Sequence, residues 1–541
     1  MSDVPQATPG HSRPASARGR PPWLVLALAA IGVLAVVAVV LASRSATPSP
    51  PARPASPPAA GSSASGASRS PVAVTVATAA AGRVVPRSFL GLSTEYWTVP
   101  VWARHLSLLG RVLATITPDG PLILRIGGSS ADQTRWAPAR ELPEWVFETT
   151  PAWLHQVRAM INRFGAKVIL DLNLITSNPA IAVRWARAAE AALPSESIIG
   201  FEIGNEADIY SPAAWRRTTG GARGVILPAR ITARDYARAY RDYAGPLLRM
   251  DPHVPLFGPA LSDPAAHLSW ITTLLGGPHP GLRAVTVHRY PLSACSRPGA
   301  RTFPTIARVL SEQSSSVMAH TLTGTLRAAR RAHLPVRLTE INSVTCGGRR
   351  GVSDTFATAL WAPDAMFELL KAGVSSAAVH VRADAINMAF SLTAHGLVAN
   401  PLVYGLATFA RTLGPSPRLL PVTLRSARRL ALKAWAVRSG ARTVHVLLIN
   451  KGGRPASVAL RLPTATGAAQ IQRLLAPTAR SRSGVTLAGQ HLDAGGRWVG
   501  SLSTHTASPT PAGYPVFVPA TSAALVTVQL ATTAGKPGRR H

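Results

Sequence analysis

Acidic residues are scarce in this chain. Only 24 Asp and Glu stand against 57 Lys and Arg, for a formal net charge of +33 over 541 residues. Cysteine is rarer still, with Cys295 and Cys346 alone. Two thiols exclude a disulfide-dense scaffold, and their spacing fits no zinc-site pattern. Outside the cytoplasm two cysteines of one domain most simply form one disulfide, the alternative being two free thiols. The HExxH and EF-hand spacings are absent, as is the GxSxG elbow of serine hydrolases. "RIGGSSAD" lacks the glycine spacing of a dinucleotide or phosphate loop. No metal and no cofactor is therefore expected. The positive charge invites a polyanion-binding reading. The basic residues are almost all Arg and spread along the whole chain, with no dense block and no aromatic interleaving. Nucleic acid is thus not the expected partner, although the charge favours acidic substrates or anionic envelope polymers through long-range attraction.

What is present is a long hydrophobic chain. Hydrophobic residues make up 47% and charged residues 15%, and the length exceeds what one core usually serves, so two folded domains with appendages are expected. Near the start, "WLVLALAAIGVLAVVAVVLA" (23–42) runs 20 residues without a charge, enough to cross a bilayer. Arg13, Arg18 and Arg20 precede it, which keeps residues 1–22 in the cytoplasm and places the body outside, at the cell membrane. The competing reading is a cleaved signal peptide with "VLAS" as the cleavage site, and a secreted product. Residues 43–70 are Pro, Ala, Ser and Gly without apolar period and read as a linker. The end of the chain, 531–541, is a polar tail.

Between these ends the pattern changes once. Over 84–400, short apolar runs alternate with amphipathic or Ala-rich segments. Strands are expected at 89–96, 122–128, 167–174, 198–206, 256–260, 284–290, 336–342 and 377–382. Eight strands alternating with helices point to a parallel (β/α)8 TIM barrel, with an open doubly wound sheet as the alternative. After residue 400 the helical periods stop, and 401–530 reads as an all-β sandwich. "PVAVTVATA" within 71–83 is also strand-like and is expected to join that C-terminal sheet.

Active sites of barrels lie at the C-terminal strand ends, so the residues there are the candidates. The first strand ends on Glu95-Tyr96. The second is followed by Asp132. The third carries Asp171 and Asn173. The fourth ends on Asn205-Glu206, the sixth on His288-Arg289-Tyr290, the seventh on Glu340, and the eighth carries His380, Arg382 and Asp384. Arg125 and Asp171, mid-strand, can equally be a buried ion pair. Glu202 shares a face with Glu206 and is read as a lining residue. Glu206 and Glu340 lie 134 residues apart, on strand ends that face each other across a barrel mouth. Two such carboxylates suit glycoside hydrolysis, one protonating the leaving oxygen and one attacking the anomeric carbon. A separation of ~5–5.5 Å would mean retention of configuration. Asn205 can hydrogen-bond a sugar hydroxyl, and His288 or Tyr290 can orient the nucleophile.

At these residues the chain resembles a known family. "FLGLSTEYW", "LRIGGSSADQTRW", "FEIGNEAD", "VTVHRYP" and "LTEINSVTCGG" occur in this order and are similar to glycoside hydrolase family 79, the β-glucuronidase and heparanase-like group. The resemblance spans about residues 72–530. It implies a retaining mechanism with Glu206 as general acid/base and Glu340 as nucleophile. It further implies Asn205 on the 2-hydroxyl, Glu95 facing the sugar, Tyr290 beside the nucleophile, and a Cys295–Cys346 disulfide bracing two active-site loops. Where the family often reads Gly-Gly-Asn-Ser, this chain has Gly127-Gly128-Ser129-Ser130, so the contact made by that Asn is not carried over. The expected substrate is a carbohydrate, β-linked glucuronic acid foremost, with Arg382, Arg289, tyrosines or loop amides available for its carboxylate. The alternatives are another retaining glycosidase of the arabinosidase or xylosidase type, and a catalytically silent carbohydrate-binding envelope protein.

Overall fold

A computed structural model describes residues 71–117, 120–136, 146–175, 178–210, 231–427 and 430–531. The expected anchor and linker, and nearly all of the polar tail, lie outside the described residues. Among the described residues no helix is long and apolar enough to cross a membrane.

Eight parallel strands close into a barrel, each neighbouring the next in chain order. They are β1 (Leu90–Glu95), β2 (Leu122–Gly127), β3 (Ala166–Leu172), β4 (Ile198–Ile203), β5 (Leu256–Leu261), β6 (Leu282–Arg289), β7 (Val336–Ile341) and β8 (Ser376–His380). Several are buried at every position. That is the signature of strands covered by helices outside and by barrel side chains inside, and it is why their sequences run apolar instead of alternating. The connecting helices carry their own boundaries. Pro151–Phe164 starts at Thr150, whose hydroxyl accepts from the Trp153 amide, takes Pro151 at its first position, and ends on Gly165 at φ 60°. Ala233–Met250 opens with a reciprocal Thr232/Asp235 capping box.

The C-terminal part is two facing sheets. In the smaller, Val72–Val76 lies between Val422–Arg425 and Ala456–Arg461, so the first described strand completes the last domain. Val74, Val76, Leu448, Leu460, Val516 and Val526 fill the space between the sheets. Residues 401–413 depart from the sequence expectation. Instead of strand, Pro401–Leu413 is a helix, buried at almost every position. Arg411 is its one charged residue, so no charged face marks the run as a helix. It packs with Phe356–Ala372, also nearly all buried, between barrel and sandwich.

Polar contacts lock that junction. The Lys451 ammonium and Asp364 carboxylate meet at 2.6 Å in full burial, and Trp435 Nε1 donates to the same carboxylate at 3.0 Å. Lys433 reaches the buried Glu368 and the half-exposed Glu312, each at 2.8 Å. The amides of Phe356 and Ala357, unpaired donors at a helix start, reach the Ser481 and Ala479 carbonyls of a sandwich loop. The sandwich thereby holds the β7–β8 crossover that follows Glu340.

Candidate active site

The polar strand ends converge. At the centre is Arg125 of β2, wholly buried. Its guanidinium donates to Asp171 of β3 at 2.7 Å, Glu202 of β4 at 2.9 Å and Glu340 of β7 at 2.8 Å. It also donates to Ser93 of β1 at 3.3 Å and to Asn205 Oδ1 at 2.9 Å. The suspected Arg125–Asp171 pair is thus one edge of a network spanning the barrel, and Glu202 lines its floor, with Thr339 donating to it at 2.7 Å. Five partners satisfy a cation that could not otherwise be buried. Asp171 and Glu202 are driven apart: burial raises both, but Arg125 offsets it to leave Glu202 at about 2, while Asp171 stays raised.

Around this floor stand Glu206 and Glu340. Glu206 follows Gly204 (φ 81°) and is itself left-handed at φ 50°, a conformation that costs a residue with a Cβ roughly 1–2 kcal/mol. It turns the carboxylate off the end of β4, and the Glu206 amide is tied to the Ala260 carbonyl at 2.9 Å. His288 Nδ1 lies 3.0 Å from Glu206 Oε1 and 3.9 Å from Glu340 Oε2. One carboxylate oxygen of each glutamate lies within 4.8 Å of the other. Glu340 is held at both oxygens: Tyr290 donates to Oε1 at 2.5 Å, and Arg125 to Oε2.

The two carboxyl groups differ electrostatically. Burial raises both. Glu340 is nonetheless pulled to about 2 by His380, His288, Arg125 and the Tyr290 hydroxyl. Glu206 stays above the ordinary glutamate value because burial and the Glu340 charge outweigh His288. Opposite shifts in one site separate a proton donor from an ionised carboxylate.

Glu95 at the end of β1 accepts from the Ser130 amide at 2.8 Å and faces His380 of β8 at 3.6 Å. Burial opposes its charge, but His380 and Ser130 lower its pKa. His380 also lies 3.5 Å from Glu340, and the two carboxylates outweigh burial to raise it. The double glycine after β2 makes room for these acids. A Cβ on Gly127 would overlap the Asp171 carboxylate, and one on Gly128, at φ 74°, would sit 2.6 Å from Glu95.

Asp132 is one step removed. Tyr210 Oη donates to it at 2.8 Å and receives the Asn205 amide at 3.3 Å. Burial pushes Asp132 up to about 8, against the Tyr210 hydrogen bond. Arg382 stands at the rim instead, 3.1 Å from Asp384 and a third exposed. Cys295 and Cys346 are joined in a disulfide between the loops after β6 and β7. The structure therefore brings Glu206, Glu340, Asn205, Glu95, Tyr290 and His288 into one constellation, links Asp132 through Tyr210, and leaves Arg382 outside it. Arg125, His380 and Tyr210 complete the constellation. The lone Arg within the apolar "LILRIGG" was the available signal for the first.

Among the described residues, the donor atoms of Glu206, His288 and Glu340 are the one group close enough to hold a metal ion. Arg125 and Tyr290 already occupy the Glu340 oxygens, so this donor set suits proton transfer and carboxylate attack better than a cation.

Residues 434–525 match the glycosyl hydrolase family 79 C-terminal beta domain. The C-terminal domain thus resembles that of family 79. No curated protein matches the chain. Among solved structures, the chain is similar to a 4-O-α-L-rhamnosyl-β-D-glucuronidase from Fusarium oxysporum 12S, solved as a Rha-GlcA complex, at TM-score 0.69 and 18% identity over 84% of this chain and 100% of that one. It is also similar to a family 51 arabinofuranosidase from Xanthomonas axonopodis pv. citri (TM-score 0.61, 15% identity, 85% and 100% covered). An α-L-arabinofuranosidase from Thermotoga maritima, in complex with arabinose, matches at TM-score 0.62 and 16% identity, with 85% and 100% covered. At such identities these likenesses concern the fold.

Proposed function

We propose that the protein is a retaining glycoside hydrolase that releases β-linked glucuronic acid from a glycan or small aglycone. The observation that carries this reading is the Glu206–Glu340 pair, close enough for a double displacement and oppositely shifted in pKa.

In the first step Glu206 protonates the glycosidic oxygen while Glu340 attacks the anomeric carbon, giving a glycosyl ester and the free aglycone alcohol. Esterification removes the Glu340 charge, which had helped to keep Glu206 protonated. Glu206, now an ionised base, takes a proton from water, the hydroxide attacks the anomeric carbon, and Glu340 leaves as a carboxylate. Tyr290 and Arg125 receive that returning charge with hydrogen bonds already aimed. Asn205 Oδ1 is taken by Arg125, so its amide nitrogen is the group offered to the sugar 2-hydroxyl. Glu95 meets sugar hydroxyls from β1, Asp132 supports Asn205 through Tyr210, and Arg382 is a rim donor for an acidic substituent.

A second reading is an arabinofuranosidase-type enzyme, which the likenesses to arabinofuranosidases favour. For location, we infer a membrane-anchored, extracytoplasmic enzyme, supported by the 20-residue apolar run and by a solvent-facing disulfide, which persists in oxidising compartments. The test is turnover of aryl β-D-glucuronide against neutral aryl glycosides and arabinofuranosides. Preferential release from the glucuronide, abolished in both Glu206→Gln and Glu340→Gln, is expected. Full activity in both variants would refute the assignment.

A further inference from the structure

Two residues beyond Glu206, in the short turn Ala207–Ile209, stands a second acid, Asp208. Its side chain is wholly buried, and among the described residues neither Lys nor Arg is paired with it. Four donors converge on it instead, all from the loop after β5. They are the Ser262 amide at 2.9 Å, the Ser262 hydroxyl at 2.8 Å, the Asp263 amide at 3.1 Å and His267 Nδ1 at 2.9 Å. An ionised carboxylate is acceptor-only and suits all four. These bonds stand where the sheet gives out. The ladder between β4 and β5 pairs Phe201 with Leu256 and Glu202 with Phe257, and goes no further. Beyond that point, among the described residues, one backbone bond joins the two segments, from the Glu206 amide to the Ala260 carbonyl. On the other flank the turn is held by Tyr210, whose hydroxyl joins Asp132 and the Asn205 amide. Glu206 thus stands between two side-chain anchors, in a left-handed conformation that persists only while its surroundings fix it.

We propose that Asp208 is the positioning residue of the acid/base: it straps the Glu206 turn to the β5 loop and sets a fixed negative charge behind the proton donor. The proposal rests on the glycoside hydrolase reading and adds the residue that governs its acid/base. Burial raises Glu206, His288 opposes the rise, and the charges of Glu340 and Asp208 add to it. Those two charges differ in timing. The Glu340 charge disappears into the glycosyl ester, whereas Asp208 takes part in no bond making and keeps its charge through the cycle. Glu206 therefore retains part of its basicity at the step in which it must take a proton from water. The other titratable and charged groups facing this turn are His267 and Asp263 on the β5 loop, Asp132 beyond Tyr210, and Arg289 of β6, 3.9 Å from Asp263.

The test compares the wild type, Asp208→Asn, Ser262→Ala and a control, Asp242→Asn, which removes one acid from the exposed face of Ala233–Met250. Each is assayed on methyl and on 2,4-dinitrophenyl β-D-glucuronide. The methoxide leaving group needs the Glu206 proton, and dinitrophenolate leaves without it. General acid assistance is worth ~10²–10⁴, so a displaced Glu206 should lower kcat/KM of Asp208→Asn roughly 10- to 100-fold on the methyl glycoside and about twofold or less on the dinitrophenyl one. On the latter, kcat and KM should fall together, because breakdown of the ester still needs Glu206 as base. The alkaline limb should move to lower pH. Ser262→Ala removes one donor and keeps the charge, so it should show a smaller loss with the same dependence on leaving group. The control should match the wild type. In parallel, Glu206 is titrated by carbon-13 NMR of protein labelled at the glutamate carboxyls, its resonance identified by its absence in Glu206→Gln. Its midpoint should fall in Asp208→Asn and hold in the control. Equal losses on the two glycosides, or an unmoved midpoint, would overturn the proposal. So would Ser262→Ala matching the wild type on both glycosides, a result that counts even if Asp208→Asn does not fold. If the wild type turns over neither glucuronide yet the midpoint falls only in Asp208→Asn, Asp208 governs Glu206 and the glucuronidase reading fails. If both glucuronides are hydrolysed and the midpoint does not move, the reverse holds.

Discussion

Replacing Arg125 by Met tests the electrostatic floor of the site. The substitution keeps much of the side-chain volume and deletes the cation shared by Asp171, Glu202 and Glu340. Removing one partner of a buried ion pair costs about 3–5 kcal/mol, because the other charge is left in low dielectric. The three carboxylates share one guanidinium, so their costs overlap, and about 4 kcal/mol is the working figure. For the roughly 430 described residues, unfolding entropy at ~2.1 cal/mol/K per residue gives ~0.9 kcal/mol/K, and Tm should fall by about 4 °C at pH 7. The loss depends on pH with a definite sign. Glu202 and Glu340 are depressed to about 2 in the folded protein. Their contribution is therefore present above the unfolded glutamate value and is lost as pH falls through the folded value. The variant has less of it to lose, so the gap between variant and wild type should narrow between pH 7 and pH 3. Calorimetry at both pH values is the assay. A Tm within about 1 °C of wild type at pH 7, or a gap that is the same at both, would refute the reasoning.

Two further outcomes follow from the same geometry. The kcat/KM profile should have its alkaline limb set by Glu206, which must be protonated in the first step and whose pKa is raised, whereas the acid limb, set by Glu340 at about 2, should fall well below the ordinary carboxylate range; a wild-type acid limb within the ordinary carboxylate range, or an alkaline limb below it, would contradict this. Tyr290→Phe removes a hydrogen bond to an ionised carboxylate, worth about 1.5–3 kcal/mol, so kcat should drop roughly 10- to 150-fold with Tm lower by only about 2–3 °C, and an unaltered kcat would place Tyr290 outside the reaction.

Much of this arrangement was legible from residue order. Each barrel strand is a short apolar run, because both faces are covered, and each ends where polar residues begin. That placed Glu206 and Glu340 on facing strand ends. The helix Pro401–Leu413 was missed because Arg411 is its one charged residue and the run reads as plainly apolar. Of the partners of Arg125, Asp171 was readable as a mid-strand ion pair, whereas Glu202 and Glu340 were beyond reach for a different reason. An arginine in a strand announces a buried cation, but its reach to Glu202 and Glu340 depends on the width and stagger of the closed barrel, which no spacing encodes. The same limit applies to His288. It sits beside Tyr290 in sequence, yet it faces Glu206 while Tyr290 holds Glu340, because residues two apart on a strand end diverge once the strand gives way to loop. Tyr210 lies beyond β4 and shows no pattern at all; only folding brings its hydroxyl to Asp132.

The central claim is that Glu340 becomes covalently bonded to the sugar. Incubation with a 2-deoxy-2-fluoro-β-glucuronyl fluoride, which slows breakdown of the intermediate, followed by peptide mass analysis, tests it directly. The account predicts one added glycosyl group on the peptide carrying Glu340, absent in Glu340→Gln and retained in Glu206→Gln. A label on Glu206, or turnover to the inverted anomer with no labelled peptide, would contradict it.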